Sequence, residues 1–399
     1  MANSLLTIDM ITRKSLEILE NNLVISRNCN RQYDDSFAVQ GAKIGSTLRI
    51  RLPDRALVTD GAALQVQDDN EQYTTLSVAS QKHIGINFTS AELTMQLDDF
   101  AERVLKPRIS QLASSIDADV ATAYKSIYNS VGTPGTTPGT SLVLLQAQQK
   151  LNEFATPMSP RYATVNPAAN AGLVEGMKGL FNPTDTVSRQ FKNGMMGTGV
   201  LGFDEINMSQ SIGMHTTGAW GTTITSTGTL STQGQATLPI SFTGSSKTWK
   251  QGDVFTIAGV YAVNPQTRQS TGSLQQFVVT ADLTASSTGT LSISPAIYTA
   301  DHALATVDSF PQATAVVTML GSASTQYAQN LSYHKDAITL ATADLLLPQG
   351  VDMASRQTHN GISMRIVRQY DITNDRMPCR VHVLYGYAAI RPSTATRIW

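Results

Sequence analysis

The stretch TSAELTMQLDDFAERVLKPRISQLASSIDADVATAYKSIYNSV, Thr89 to Val131, holds the longest uninterrupted helical pattern in the chain. Thr89 and Glu92 sit at capping-box spacing, where a hydroxyl accepts from an orphan amide and a carboxylate reaches back. Leu93, Leu97, Phe100, Val104 and Leu105 then recur at helical intervals. Pro107 removes a backbone donor and pushes Lys106 out of α geometry, so a break is expected at Lys106. Proline suits a first helical position, and Ile109, Leu112, Ile116, Val120, Ala123 and Ile127 follow at steps of three or four. The pattern predicts a second, longer helix from Pro107 to Val131, roughly 37 Å at ~1.5 Å per residue, with Gly132 as a left-handed stop.

On the N-terminal side, residues 7 to 24 read as an amphipathic arm with Ile8, Ile11, Ile18, Leu19 and Leu23 on one side. The period then changes to two. Leu48, Ile50 and Leu52 alternate with polar residues, as do Ile84, Ile86 and Phe88, which predicts the two strands of one long hairpin between Gly41 and Ser90. Its polar tip, Pro53 to Thr75, carries Asp54, Arg55, Asp60, Asp68, Asp69 and Glu71. A loop that long without a core of its own is usually functional, and this one is a candidate for reaching a neighbouring subunit.

On the C-terminal side, the Gly/Pro/Thr run at 132 to 140 marks a turn. A helix is expected from Ser141 to Phe154 on Leu142, Leu145 and Leu151, then a short strand at Tyr162 to Val165 and a helix over 168 to 181. Between Ile206 and Ser246 there is no Asp, Glu, Lys or Arg, and the Ser, Thr and Gly crowded there read as the entry to a β region. Phe255–Ile257, Phe277–Val279, Leu291–Ile293 and Ala315–Val317 continue it as short strands, which suggests a small barrel or sandwich. Lying between two α+β portions, it is an insertion. A second hairpin closes the chain: Ile362, Met364 and Ile366 alternate, a charged loop with Asp371, Asp375 and Arg376 follows, and Val381, Val383 and Tyr385 alternate back.

Composition limits what such a chain does. At 399 residues it exceeds the ~250 to 300 at which a single core stops growing, so more than one domain is expected. Charged residues make up 15%, against ~25% in a typical soluble protein, which fits a surface largely covered by copies of itself. The formal net charge of −1 argues against binding nucleic acid or an acidic membrane by bulk electrostatics. Cys29 and Cys379 belong to no CxxC pair, and Asp9, Arg13, Lys14 and Glu17 interrupt the apolar pattern a signal peptide needs, so synthesis in the cytosol is expected. The six histidines show no metal-ligand spacing, and GMMGTG at 194 to 199 is a turn rather than a phosphate loop. The expectation is a protein that is not an enzyme, with no catalytic residues, metal or cofactor.

In this order the elements resemble the major capsid protein of tailed bacteriophages, and more specifically the coat-protein family of short-tailed Salmonella-type phages. GDVFTIAGV at 252 to 260, FVVTAD at 277 to 282 and TLSISPAI at 290 to 297 are similar to that family's insertion-domain strands. DAITLATADLLLPQG at 336 to 350 resembles its exit into the main fold, and CRVHVLYGYAAIRP at 379 to 392 its closing strand. The resemblance implies an α+β, Hong Kong-type capsid fold with an inserted small β-barrel. Its parts would be an N-terminal arm (1–40), an extended loop (41–90), a peripheral domain with the spine helix (91–140 and 341–399), an axial domain (141–218) and the insertion (219–340). It also implies hexamers and pentamers in an icosahedral shell, assembled with a scaffolding protein and a portal, that expands from a procapsid around double-stranded DNA. No membrane is involved, and the DNA is touched without specificity.

The subunit-interface candidates on this reading are Arg49, Arg51, Asp54, Arg55, Asp60, Arg268, Asp371, Asp375 and Arg376. Where the family carries a long charged loop that links capsomers, this chain has the short, uncharged Ser231–Ala236, so that role does not carry over. A near-neutral lining suits a shell that must release its DNA, because each neutralised phosphate would tighten binding. The charge-poor β region also fits another self-assembling structural protein, such as a tail-tube, decoration or surface-layer protein.

Overall fold

The helix expected from Pro107 begins one residue earlier and spans Lys106–Ala121. The computed structural model describes residues 8–31, 47–59, 61, 62, 66, 72–88, 105–177, 196–228, 230–374 and 376–399; the shorter helix expected from Thr89 falls almost wholly outside them. The chain forms two compact units, one of Met1–Ile50, Tyr73–Val120 and Thr339–Ala388, the other of Arg51–Gln72, Ala121–Ile338 and Ala389–Trp399.

In the first unit, Ile109, Leu112, Ala113, Ile116 and Val120 of the Lys106–Ala121 helix are buried, as their spacing requires. Its polar side is tied to a sheet. Lys82 Nζ lies 2.7 Å from Asp119 and donates to Ser115 O at 2.9 Å, while the buried Tyr385 hydroxyl donates to Asp119. That sheet is built on the long strand Met377–Ala389, paired antiparallel with Ser80–Phe88 (Tyr385 opposite Ser80) and with Ile362–Arg368 (Ile366 opposite Val381). Met353–His359 and Ile338–Thr342 complete it. The second hairpin is therefore present.

The pairing expected for the first hairpin is corrected. Thr47–Arg51 pairs with Tyr73–Ser77, and Ile84–Phe88 belongs to the other sheet. Tyr73–Ser77 buries only Leu76, so it has no alternation to read. The step from one strand to the next needs Gly386, where an added Cβ would sit 2.1 Å from Ser77 O. The N-terminal helix, Ile8–Asn22, buries Leu16 and Leu19 against its own unit, with Ser355 Oγ donating to Asp9 at 2.5 Å and Asn360 Nδ2 to Glu20 at 2.7 Å.

The spine helix does not reach Val131. After Ala121 the chain tightens into the 3-10 turn Thr122–Ser126, and Ile127 is extended at φ −89°, ψ 121°. Tertiary pairing overrides the helical pattern: Ser130 and Val131 form a parallel pair with Arg397 and Ile398, and Gln276 grips Ser130 by both backbone groups, at 2.7 and 3.0 Å. Gly132 is left-handed (φ +87°) but follows a strand, and a Cβ there would lie 2.8 Å from Trp399 O.

The second unit has two six-stranded sheets. One runs in the order Ser130–Val131, Ala395–Ile398, Asn330–His334, Arg161–Val165, Phe203–Met208 and Gly197–Val200. The helices Ser141–Glu153 and Pro167–Gly176 pack on it through Leu144, Ala147, Leu151, Ala169 and Leu173, and Asn166 caps the second by accepting from Ala169 N at 2.8 Å. The face expected for Ser141–Glu153 is corrected: Leu142 and Leu145 are exposed. The other sheet is antiparallel, in the order Val317–Met319, Val254–Val263, Ser270–Val279, Thr288–Ile297, Gln235–Thr243 and Thr222–Ser226. Its two edges are bridged, Thr225 pairing with Val316 and Ser226 N donating to Ala315 O at 2.9 Å. Inside lie Leu238, Ile240, Trp249, Phe255, Ile257, Phe277, Val279 and Leu291, with Phe255 and Phe277 stacked at 5.6 Å. The strands expected at Phe255–Ile257, Phe277–Val279 and Leu291–Ile293 all belong to it.

Candidate assembly surface

Of the charged residues singled out from sequence, Asp371, Arg376 and Arg268 sit at turns. In the first unit, Asp371 and Arg376 close the hairpin end, Asp371 N donating to Arg376 O at 2.8 Å. The Asp371 carboxylate is held below its usual range by donors of its own turn, Asn374 Nδ2 at 2.8 Å and Thr373 N at 3.1 Å. That self-capping leaves Ile372 at the extreme tip, 84% exposed, beside the exposed Tyr370. Arg49 and Arg51 point outward from the strand Thr47–Arg51, Arg49 lying 5.1 Å over the Tyr73 ring. Asp60 and Asp375 lie outside the described residues.

In the second unit, Arg268 occupies the turn between Val254–Val263 and Ser270–Val279 in the left-handed region, its N–H donating to Asn264 O at 2.8 Å. Asp54 and Arg55 stand at the foot of the long loop, where Leu52 N donates to Gln72 O at 2.8 Å. There they meet residues the sequence did not bring together, for Arg391, Tyr128, Phe154 and Tyr298 line the same cleft of about 570 Å³. Burial pushes the Arg55 guanidinium down, Tyr128 opposes this and Arg391 adds to it; burial also pushes the Tyr128 phenol up to about 12.

Within this unit the buried Asp253 carboxylate is satisfied internally. Asp253, on the turn before Val254–Val263, accepts from His215 Nε2 at 2.9 Å, Lys250 N at 2.8 Å and Gly218 N at 3.1 Å, and His215 Nδ1 faces Tyr124 Oη at 3.2 Å. Such a pair resembles two members of a catalytic triad, but His215 is buried and engaged at both nitrogens, so it works as a structural link. Among the described residues no group of His, Cys, Asp and Glu could hold a metal, and no helix is long and apolar enough to cross a membrane. Sequence reasoning, which looked for charge, missed the exposed apolar residues at Val58, Val66, Met158, Leu346 and Ile372. The signal available was their place within polar loops.

Outward charged and apolar groups at loop and hairpin tips fit a protein that meets other proteins. The chain belongs to the family of the P22 coat protein, gene protein 5, whose model matches residues 1–396, and it is accordingly a structural protein of a bacteriophage capsid. Solved structures similar to it include one from Mycobacterium phage Che8 (12% identity, 94% of this chain and 90% of that one, TM-score 0.48). Others are the mature capsid of bacteriophage PhiM1 (12%, 89% and 82%, TM-score 0.42) and the CUS-3 coat protein I-domain (29%, 25% and 96%, TM-score 0.20). No curated protein matches the chain in sequence.

Proposed function

We propose that this chain is the major capsid protein of an icosahedral shell enclosing double-stranded DNA, arranged as hexamers and pentamers and matured by expansion from a procapsid. The observation that carries the reading is the coat-family match, which runs through every segment from residue 1 to 396, including the antiparallel sheet with bridged edges. On this reading that sheet is an inserted β-barrel in a Hong Kong-type fold. Residues 1–40 are the arm, 41–90 the extended loop, 91–140 with 341–399 the peripheral domain, 141–218 the axial domain and 219–340 the insertion. A scaffolding protein and a portal are the partners of assembly, DNA is contacted without specificity, and the chain is made in the host cytoplasm. The low fraction of charged residues supports extensive contact between copies.

Electron microscopy and sedimentation of the purified chain, with and without its scaffold, test this. Closed shells are expected. Helical tubes or flat arrays would favour a tail or surface-layer role, and the absence of any fast-sedimenting particle would overturn the reading. Deleting Thr222–Met319 keeps the buried strand Asn330–His334 and should alter shell size or impair folding. Shells of ordinary size from that deletion would remove the structural role given to the insertion.

A further inference from the structure

The cleft that Arg55 and Arg391 line lies wholly within the second unit. Both guanidinium groups are half-buried, and among the described residues neither has a carboxylate within ion-pair distance. Burial works most against the charged form of Arg55, and Arg391 adds repulsion. Such a pair carries a cost that an entering anion removes. The acid in the lining, Asp54, is exposed and does not fill that role.

Size and walls narrow the class of anion. A cleft of about 570 Å³ is on the scale of a small-molecule site and too small for a duplex. Tyr128, Phe154 and Tyr298 give it aromatic walls, which a free inorganic phosphate would leave unused. The amides of Gln266 and Gln275 stand in the same lining, and each side chain carries donors and an acceptor. A phosphate monoester holds about −1.5 to −2 charges near pH 7 on three acceptor oxygens, so one group answers both guanidiniums, whereas a peptide carboxylate answers one. A nucleobase has a π face for the aromatic walls and a polar edge for the amides. We propose that this cleft is a binding site for a nucleoside phosphate, with the phosphates on Arg55 and Arg391 and the base against Tyr128, Phe154 and Tyr298. No bond is made or broken there: the ligand is held, not turned over.

Every residue of the site comes from one chain, so the test is calorimetric titration of the full chain as dissociated subunits, with ADP, adenosine, inorganic phosphate and a tri-aspartate peptide as the four probes. ADP should bind saturably and at least roughly tenfold more tightly than any of the others, because each of them lacks half of the contacts. Arg55→Gln and Arg391→Gln should each weaken ADP by roughly tenfold and leave adenosine unchanged. Asp54→Asn should tighten ADP by roughly twofold or more, a gain that a folding defect does not imitate. Phosphate as tight as ADP would make the cleft a simple anion site, adenosine as tight as ADP would take the arginines out of it, and the peptide as tight as ADP would make it a protein-docking site; each result overturns the proposal. So does the absence of saturable ADP binding by a chain whose urea transition is intact.

Discussion

Replacing Asp117 by alanine removes a helix cap supplied from far along the chain. The helix Ile25–Asn28 has no side-chain cap of its own at Val24. Asp117, 1% exposed on the Lys106–Ala121 helix, accepts from Val24 N at 2.6 Å, Ile25 N at 3.4 Å, Ser26 N at 3.0 Å and Ser26 Oγ at 2.5 Å. Alanine leaves the buried Ile25 and Ser26 donors empty at ~1–3 kcal/mol each, while water reaches the half-buried Val24. Against this stands the cost of burying the carboxylate, which outweighs its hydrogen bonds and raises its pKa. The net expectation is a loss of about 2–4 kcal/mol, a large share of the ~5–15 kcal/mol by which a domain is stable.

The raised pKa gives a second signature. Folded Asp117 holds its proton to higher pH than unfolded Asp117, so its contribution is full below the unfolded value and declines as pH rises through the folded one. The penalty of alanine should therefore be larger at the acid end. Urea unfolding of dissociated subunits is the assay. All three tryptophans, Trp220, Trp249 and Trp399, lie in the other unit, so the transition seen by far-UV circular dichroism should shift more than that seen by fluorescence. A shift below ~0.5 kcal/mol, the usual range of an uninvolved surface change, would refute the capping argument.

Three further outcomes follow from the same packing. Arg397 is fully buried, donates to Gly252 O at 2.7 Å and lies 5.2 Å over the Tyr124 ring, and burial pushes its pKa down to about 9. Its Nε and second amino group bond nothing among the described residues, so Arg397→Met should change stability by less than ~1.5 kcal/mol, whereas Asp253→Ala, which strands three donors, should cost about 3 kcal/mol by tryptophan fluorescence. His382 is pushed down to about 4 by burial, with Arg365, Arg380 and His83 adding repulsion; Arg365 and His83 are its cross-strand partners, and Gln81 Nε2 lies 3.2 Å from its Nδ1. Because the folded value is depressed, stability should be full above pH ~6.5 and fall towards pH 4, by at most ~1.4 kcal/mol per pH unit, and His382→Gln should flatten that part of a pH–melting curve. Gly386→Ala should cost more than 2 kcal/mol or prevent folding, because its Cβ would meet Ser77 O, while Gly85→Ala, with open space at that position, should stay within ~0.5 kcal/mol.

What was legible in the sequence followed from local periodicity. The alternations at Ile362–Ile366 and Val381–Tyr385 found each other because each strand has a buried face. The helix expected over 168 to 181 begins at Pro167, with Asn166 as its cap, because both the side chain and the ring act within one turn. What was illegible depended on distant segments. The apolar residues of Ser141–Glu153 fit more than one phase, and only the sheet beneath selects Leu144 and Leu151 over Leu142 and Leu145, with Lys150 buried on the inner side. The spine helix stops at Ala121 because Arg397 and Ile398, more than 260 residues later, pair with Ser130 and Val131. The cleft escaped notice for the same reason: Arg55, Tyr128 and Arg391 are separated by long stretches of sequence.

The placement of charge also bears on the surface. With 29 basic and 30 acidic residues among 399, the chain has few charges to spend, and several are consumed inside: Asp117 on a cap, Asp253 on a histidine and two amides, Arg161 and Arg397 on backbone carbonyls. Each has at least one partner where it is buried, because a wholly unpaired one costs more than the contact it replaces. The charges left outside tend to be capped by their own turns, as Asp371 is, or paired with near neighbours, as Lys250 is with Asp282 at 3.1 Å. Screened surface pairs of that kind contribute little to association. Contact between copies should therefore rest on the apolar residues the tips expose, Ile372 at the hairpin end and Val58 and Val66 on the long loop.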